Sequence, residues 1–474
     1  MISKHISTQI YNEFGFETTF DQKKLIESLS EFISCSSSDG IFILNGYAGT
    51  GKTTLLGALV RTLKSLKINT ILMAPTGRAA KVLSQYAGSQ ALTIHKKIYR
   101  EKKFEGDNSR FDLSPNRHKN TIFIVDEASM LSNIPGENSM FGSGYLLDDL
   151  IKYIRSGIDC RLILVGDNAQ LPPVGLDSSP ALDPVAMGDF GEIHYGTMTD
   201  IVRQKTDSGI LFNATLVRCM IEAEIQDIPT FRLTLPQIKA VEGYELNEVL
   251  EDAYAKWGAD GVIVITRSNR RANRFNQAIR NHILQREEEV SSGDMLMIVK
   301  NNYHYVEQDS ETDLDFIANG EIARVKRIRR YEELYGFRFA TVTLTFPDYD
   351  DYELDCKIIL DTLHSESPSL TQEQSRALFY GVETDYADIT AKSKRYKAIR
   401  EDPYYNALQV KFAYSVTCHK AQGGQWPCVF IDKMLFGDEQ ISTDLMRWLY
   451  TALTRATEQL YLINFDSRFF EEEE

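Results

Sequence analysis

Short runs of aliphatic and β-branched residues recur in the first part of the chain, and each run ends in turn-forming or polar residues. Such runs are typical of strands buried on both faces, as in a parallel sheet covered by helices. Stretches with helical spacing lie between them, at 54–66 and 78–86. The alternation predicts a doubly wound α/β domain with functional loops at the carboxyl ends of its strands. The predicted strands are 41–44, 70–73, 121–125 and 161–165.

The same pattern starts again further along the chain, which predicts a second α/β domain that is interrupted by an insertion. The insertion carries short β-like pieces followed by a helical stretch from Thr371, which predicts a small β-barrel with a helical extension. A polar excursion at about 99–120 is predicted to form a hairpin, because Gly106-Asp107-Asn108 supplies a turn. The strands predicted for the second domain are 261–265, 412–416, 428–431 and 460–463, and those of the insertion are 295–299, 321–325, 339–344 and 356–360. The predicted domains are 1–200, then 201–290 together with 409–474, and the inserted 291–408.

A chain of 474 residues is too long for one ordinary core, and 43% hydrophobic with 25% charged residues is the composition of a globular protein. No apolar run reaches the roughly 18 residues that a membrane span needs. The amino terminus lacks the pattern of a signal peptide. None of the 6 cysteines forms a C-x-x-C pair, so a zinc site or disulfide framework is not indicated, and the cytoplasm is the expected location.

The net charge of −15 speaks mildly against nucleic-acid binding, but the charge is unevenly distributed. Between residues 61 and 103 the basic residues face a single acid, Glu101, and an arginine-rich stretch at 267–280 contains no acid. These stretches are either solvated faces of an acidic protein or a surface for a polyanion. The motifs decide between the two interpretations.

Residues 46–53 read GYAGTGKT and satisfy the P-loop pattern G-x-x-x-x-G-K-[ST] between a predicted strand and a predicted helix. The backbone amides of Gly46, Gly49, Gly51 and the start of the helix can face phosphate oxygens. Lys52 supplies a cation near the outer phosphates, and the hydroxyl of Thr53 is a ligand for Mg²⁺. The pattern in this context predicts an ATP site.

Asp126 and Glu127 follow the predicted strand at 121–125. An aspartate at a strand end beside a P-loop can hold Mg²⁺, and a neighbouring glutamate can orient or deprotonate the attacking water. Alone, Asp-Glu after a strand is a weak signal, but together with the P-loop it predicts hydrolysis of ATP rather than transfer to a small molecule.

Segments of the chain, taken in order, resemble the motif series of the superfamily-one helicases, and in particular its RecD and Dda branch. The likeness extends from about Gln22 to Leu462 and is strongest in the two α/β domains. After the P-loop, the matching segments are APTGRAAK at 74–81, VDEASM at 125–130, VGDNAQLPPVG at 165–175, SVTCHKAQG at 415–423 and YTALTRA at 450–456. The resemblance implies two RecA-like domains with ATP in the cleft between them, and an SH3-like barrel for the insertion.

The resemblance also implies roles for single residues of the ATP site. Gln170 would sense the γ-phosphate, Arg455 would act as an arginine finger, and Arg203 would be a further phosphate contact. Gln22 would recognise adenine. The remaining nucleotide contacts implied are Thr50, Thr54 and Gly423.

For nucleic acid, the resemblance implies a single strand that lies across both domains and a hairpin that splits duplex DNA at a junction. It further implies work in replication, recombination or repair beside single-strand-binding and related proteins, with activity expected for the monomer. Movement from 5′ to 3′ follows from the resemblance alone. The implied strand contacts are Pro75, Thr76, Thr93, His95 and Phe104 in the first domain, and Arg267, Asn269, Thr417 and His419 in the second.

Three hypotheses are therefore open. The chain is a DNA helicase or translocase, an ATPase subunit that needs a partner, or a P-loop switch without nucleic acid. The paired basic stretches speak against the switch. Singly, each strand contact has an ordinary alternative, since Thr93 and His95 could cap a helix and Phe104 could be a core residue.

Overall fold

The computed structural model describes residues 2–35, 40–102, 110–135, 141–202, 208–305, 316–433 and 440–471. These residues form two parallel sheets, a closed barrel and a two-stranded ribbon. The architecture confirms the predicted α/β class, with a hairpin inserted in the first domain and a five-stranded barrel inserted in the second. Within this part of the chain, no helix combines the length and the apolar character that crossing a bilayer requires.

The first sheet is parallel and consists of the strands β1 (Ile41–Gly46), β2 (Asn69–Ala74), β3 (Ala91–Thr93), β6 (Thr121–Val125), β7 (Arg161–Gly166) and β8 (Ile193–Met198). They are arranged in the order β3-β2-β6-β7-β1-β8. Alternate side chains of one strand enter separate cores: Ile41 and Ile43 belong to one, and Phe42 and Leu44 to the other. This two-sided burial is why these strands are continuously apolar.

Helices cover both faces of this sheet, and two of them precede the first strand. A capping box between Thr19 and Gln22 begins α2. The ribbon β4 (Tyr99–Lys102) and β5 (Arg110–Leu113) pairs antiparallel, as expected for the hairpin. The helices are α1 (Ile2–Phe14), α2 (Phe20–Ser34), α3 (Lys52–Ser65), α4 (Gly77–Ala87), α5 (Ile94–Ile98), α6 (Leu146–Arg155) and α7 (Pro184–Met187).

The second sheet is also parallel, in the order β16-β10-β17-β18-β9. Its strands are β9 (Ile238–Val241), β10 (Val262–Thr266), β16 (Ser415–Thr417), β17 (Trp426–Asp432) and β18 (Ala456–Ile463). The helices around it are α8 (Gly209–Glu222), α9 (Leu246–Trp257), α10 (Asn269–Ala278), which continues as a π-turn Ile279–Ile283, α13 (Cys418–Ala421) and α14 (Thr443–Leu453).

The barrel closes through β11 (Met295–Ile298), β12 (Ile322–Leu334), β13 (Phe337–Phe346), β14 (Tyr352–Ile359) and β15 (Leu408–Phe412). The strand predicted at 321–325 was too short, because β12 continues to residue 334. Most side chains of 326–334 are polar and exposed, so this part of the strand has no buried pattern that the sequence could reveal. Tyr335 and Gly336 turn the chain between β12 and β13 with φ of 56° and 77°, as a two-residue hairpin requires. The extension is formed by α11 (Gln372–Asp385) and α12 (Lys392–Glu401).

The single strand predicted at 412–416 was wrong, because the chain changes sheets there. The amide of Ala413 donates to Met295 of the barrel, whereas the carbonyl of Tyr414 accepts from Val264 of the second sheet. The residues on both sides of this crossing are apolar and buried, so the sequence shows one continuous apolar run. The last strand of the barrel therefore lies beyond residue 408, where the barrel was expected to end.

A buried carboxylate joins the barrel to the second sheet. Asp294 is fully buried just before β11. It accepts hydrogen bonds from the guanidinium of Arg280 at 3.0 and 3.1 Å, Arg286 at 2.6 Å, the hydroxyl of Tyr414 at 2.9 Å and the amide of Ser291 at 2.7 Å. One side chain thus fixes the π-turn, the first barrel strand and the crossing to β16.

Asp294→Ala is expected to lower the free energy of unfolding by about 3–5 kcal/mol, because it leaves the buried guanidinium of Arg280 without its charge partner. Urea denaturation measures this change. Arg468→Ala, which removes an exposed pair with Asp466 at 3.0 Å, is the control and should leave the midpoint unchanged. Equal midpoints for both variants would contradict a joining role for Asp294.

Candidate active site

The P-loop connects β1 to α3 around the side chain of Lys52. Its ammonium donates to the carbonyl of Gly46 and lies 3.7 Å from a carboxylate oxygen of Asp167 at the end of β7. A Cβ on Gly46 would come within 2.6 Å of the Lys52 side chain, and Gly51 has a φ of +89°, so both positions require glycine. The sequence thus places a cation and a curled backbone at the carboxyl edge of the sheet, where phosphate binding is expected.

Gln22 lies against this loop, where it was expected to bind adenine. Its amide nitrogen donates to the carbonyl of Thr50 at 2.9 Å, and its amide oxygen accepts from the backbone of Thr19 at 2.9 Å. The hydroxyl of Thr50 is turned inward to Tyr47 at 2.8 Å, so this side chain supports the loop. The structure therefore gives Gln22 a loop-supporting contact, and adenine recognition stays a prediction.

The paired acids stand beside the P-loop at the end of β6. One oxygen of Asp126 accepts from the amide of Glu127 at 2.9 Å, and the other accepts from the hydroxyl of Tyr86. Glu127 adopts a φ of 53°, a left-handed conformation that is uncommon for a non-glycine residue. Desolvation raises the pKa of both carboxyls above its ordinary value, and the positive charge of Lys52 offsets only part of this rise.

The donors around this position fit a small hard cation. Asp126 contributes a carboxylate, and Thr53 contributes a hydroxyl from an exposed position at the start of α3. Oxygen ligands of this kind, with room for water, are those that Mg²⁺ prefers. Thr54 follows in the same turn and is half-buried.

Tyr450 of α14 crosses from the second domain to the first. Its hydroxyl donates to Asp167 at 2.8 Å and accepts from the P-loop amide of Ala48 at 2.9 Å. The next residue, Thr451, accepts from the amide of Leu171 at 2.8 Å. The two domains therefore meet at the P-loop through buried hydrogen bonds.

The remaining expected ATP-site residues lie along the same cleft. Arg455 is buried and donates to the carbonyls of Thr451 and Gly424 at 3.0 and 3.2 Å. Desolvation raises the pKa of Glu127, and the positive charge of Arg455 across the cleft opposes part of that rise. The side-chain oxygen of Gln170 is buried without a hydrogen-bond partner among the described residues. A Cβ on Gly423 would lie 3.4 Å from the hydroxyl of Thr76, so this glycine borders the surface expected to bind single-stranded DNA.

In the first domain, the residues expected to contact single-stranded DNA lie at the ends of two neighbouring β-strands. Ala74 pairs with Thr93 in the parallel register of β2 and β3, which brings Pro75 and Thr76 close to Thr93 and His95. The hydroxyls of Thr76 and Thr93 cap α4 and α5. The helix-capping alternative is thus confirmed for Thr93. Burial lowers the pKa of His95 to about 4, so this imidazole is neutral near pH 7.

The second domain repeats the arrangement. Thr266 pairs with Thr417 in the parallel register of β10 and β16. Arg267 and Asn269 therefore follow one strand end, and Thr417 and His419 lie at its neighbour. Each domain thus presents polar side chains at the carboxyl edge of its outermost strand pair.

Two expected site residues, Phe104 and Arg203, lie outside the described residues. At the base of the hairpin, Phe111 contacts Phe141 and Tyr303 with ring centroids 4.7 and 4.9 Å apart. The hairpin is thereby packed against the segment between β11 and β12.

Sequence analysis missed three side chains that the structure brings to the site. Asp167 and Tyr450 lie inside matching segments but received no role, and Tyr86 lies outside them. Asp167 was detectable as a polar residue at a strand end, like Asp126. Nothing in the local pattern of a helix indicates which of its residues crosses a cleft, so Tyr450 and Tyr86 had no such signal.

A P-loop, paired acids and a second domain that contacts the P-loop through Tyr450 define a two-domain ATPase of the RecA-like type. Residues 19–218 match the family model of an AAA domain, and residues 412–463 match that of a UvrD-like helicase C-terminal domain. In these segments the chain is similar to superfamily-one helicases of the branch that contains RecD and Dda.

Among curated relatives, an uncharacterized protein of Acanthamoeba polyphaga mimivirus is 23% identical over 93% of this chain and 98% of its own length. The ATP-dependent RecD2 DNA helicase of Deinococcus radiodurans is 31% identical over 32% of this chain and 19% of its own. The ATP-dependent DNA helicase dda of Enterobacteria phage T4 is 35% identical over 28% of each chain. The matches to the two named helicases thus span less than a third of either protein.

A solved structure of Pif1 helicase from Bacteroides in complex with ADP-AlF3 and ssDNA superposes with a TM-score of 0.47 at 15% identity, over 97% of this chain and 95% of that one. The sheets and the barrel described above define the fold independently of this likeness.

Tyr450→Phe is expected to reduce the free energy of unfolding by about 1–3 kcal/mol, because it removes the partner of buried Asp167 and of the Ala48 amide. Urea denaturation provides the measurement. Tyr11→Phe is the matched control, since its hydroxyl bonds Lys23 at 3.3 Å on the exposed surface. A loss no larger than that of the control would mean that the cross-cleft bonds contribute nothing to stability.

Proposed function

We propose that this protein is an ATP-dependent DNA helicase that moves along single-stranded DNA and unwinds duplex DNA at junctions. The observation that carries the proposal is the position of Tyr450. It places the second domain directly on the P-loop, so that a change at the nucleotide alters the relation between the domains. Both domains present candidate strand contacts at equivalent sheet edges, which makes such a change usable for movement.

Hydrolysis is assigned to residues from both sides of the cleft. Lys52 holds the outer phosphates, Glu127 orients and deprotonates the attacking water, and Arg455 stabilises the charge that develops on the transferred group. Gln170, with its unpartnered amide oxygen, senses the terminal phosphate. Thr53 and Asp126 hold Mg²⁺, which neutralises phosphate charge when bound.

The binding site for single-stranded DNA is assigned to two sheet edges, one formed by β2 with β3 and the other by β10 with β16. Hydroxyl and amide side chains such as Thr76 and Asn269 suit contacts to phosphates, which position a strand without reading its sequence. His95 takes part as a neutral group, because burial lowers its pKa. Arg267 supplies positive charge on the second domain.

Direction and biological role extend the proposal. The RecD and Dda branch supports movement from 5′ to 3′ and work in replication, recombination or repair, in the cytoplasm and beside single-strand-binding proteins. A monomer suffices, because the P-loop and the candidate arginine finger lie in one chain. The competing hypothesis of a partner-dependent ATPase predicts stimulation only with a second protein, and that of a switch predicts indifference to DNA.

Single-stranded DNA is expected to raise steady-state ATP hydrolysis, because strand and nucleotide are bound by the same two domains. Lys52→Ala should abolish the activity and serves as the blank. A rate that DNA leaves unchanged would contradict the motor and favour the switch or the partner-dependent subunit. Unwinding of 5′-tailed rather than 3′-tailed duplexes is the result expected for direction.

Arg455→Ala is expected to lower kcat for ATP hydrolysis by about 10³–10⁵-fold, as for other arginine fingers. Binding of a fluorescent ADP analogue should persist, which shows that the fold is intact. Arg468→Ala, at an exposed arginine paired with Asp466, is the control. A decrease of only a few fold would remove Arg455 from the transition state.

A further inference from the structure

Tyr86 lies in the last turn of α4, and its side chain reaches Asp126 in the candidate ATP site. Its hydroxyl donates to the second oxygen of Asp126, the carboxylate assigned to the metal. A phenol is protonated near neutral pH, so the hydroxyl of Tyr86 is the donor and the carboxylate the acceptor. Tyr86 itself belongs neither to the P-loop nor to the paired acids.

The contact fixes the orientation of the carboxylate. One oxygen of Asp126 is held by the amide of Glu127 at 2.9 Å, and the other is held by Tyr86. Each carboxylate oxygen has two acceptor positions, so a hydrogen bond leaves the second position open for a cation. Hydrogen bonds of this kind orient metal ligands in many sites.

Tyr86 is itself held firmly against the P-loop helix. Its carbonyl accepts from Arg61 at 3.5 Å, and Arg61 is fixed by Glu13 through bonds of 3.0 Å. A Cβ on Gly57 of α3 would come within 2.8 Å of the same carbonyl, so glycine permits this close approach. The ring packs against the core that α3 shares with the first sheet.

We propose that Tyr86 is a positioning residue that orients Asp126 for the divalent cation and connects this ligand to the strand surface. The connection is α4 itself, which begins after Thr76, a candidate strand contact, and carries Tyr86 near its other end. The proposal rests on the proposed function for the identity of the metal ligand.

The test is the affinity for Mn²⁺ in the presence of ADP, measured by electron paramagnetic resonance of free Mn²⁺. Tyr86→Phe keeps the ring and removes only the hydroxyl. It is expected to weaken Mn²⁺ binding by about 10–100-fold, as the loss of other outer hydrogen bonds to metal ligands does. ADP binding in excess chelator should be unchanged, because the P-loop is intact, and this also verifies folding.

Tyr386→Phe is the matched control. It removes a tyrosine–aspartate hydrogen bond of 3.0 Å, to Asp402 in the helical extension of the barrel, and should leave Mn²⁺ binding unchanged. Asp126→Asn provides the second comparison. Adding Tyr86→Phe to Asp126→Asn should cause no further loss, because Tyr86 acts through the carboxylate.

Unchanged or tighter Mn²⁺ binding by Tyr86→Phe would overturn the proposal, and so would additive losses in the double variant. Failure of the proposed function has a different signature, since the wild-type protein would then hydrolyse ATP without regard to DNA while the Mn²⁺ comparison remained valid. A lower DNA stimulation in Tyr86→Phe at saturating Mg²⁺ is the expected sign of the connection through α4.

Discussion

The arrangement of the molecule depends on one buried carboxylate, Asp167. It ends a central strand of the first sheet, balances the charge of Lys52 and accepts the hydroxyl of Tyr450 from the other domain. A buried charge is costly unless it is paired and hydrogen-bonded. The cleft therefore closes around Asp167, and anything that draws Lys52 away changes what holds the second domain in place.

Parallel sheets explain why the two kinds of site can be separate and still communicate. Strands β6, β7 and β1 are neighbours and carry the acids and the P-loop at their carboxyl ends. The β-strands β2 and β3 continue the same edge and carry the residues expected to contact single-stranded DNA. Since α4 connects β2 to β3 and packs against α3, the proposed function assigns to this helix the link between the DNA-binding edge and the nucleotide.

Local pattern sufficed for much of the fold and for the P-loop, because strand burial and phosphate binding both depend on residues that are close in sequence. The carboxyl-edge rule likewise predicted the position of Asp126. The crossing at Ala413 escaped prediction, since two sheets share one apolar run, and the exposed part of β12 has no buried face to detect. Tyr450 and Tyr86 escaped because their partners are distant in sequence.

Asp126 and Asp167 end adjacent strands, and each accepts a hydrogen bond from a tyrosine hydroxyl. The tyrosines come from different places: Tyr86 from the helix that begins at the strand surface, and Tyr450 from the other domain. A hydroxyl is uncharged, so exchanging its acceptor does not leave an unpaired buried cation, as breaking a salt bridge would. In the proposed motor, Asp126 is therefore the carboxylate linked to the DNA-binding edge and Asp167 the one linked to the second domain, on either side of the proposed phosphate site.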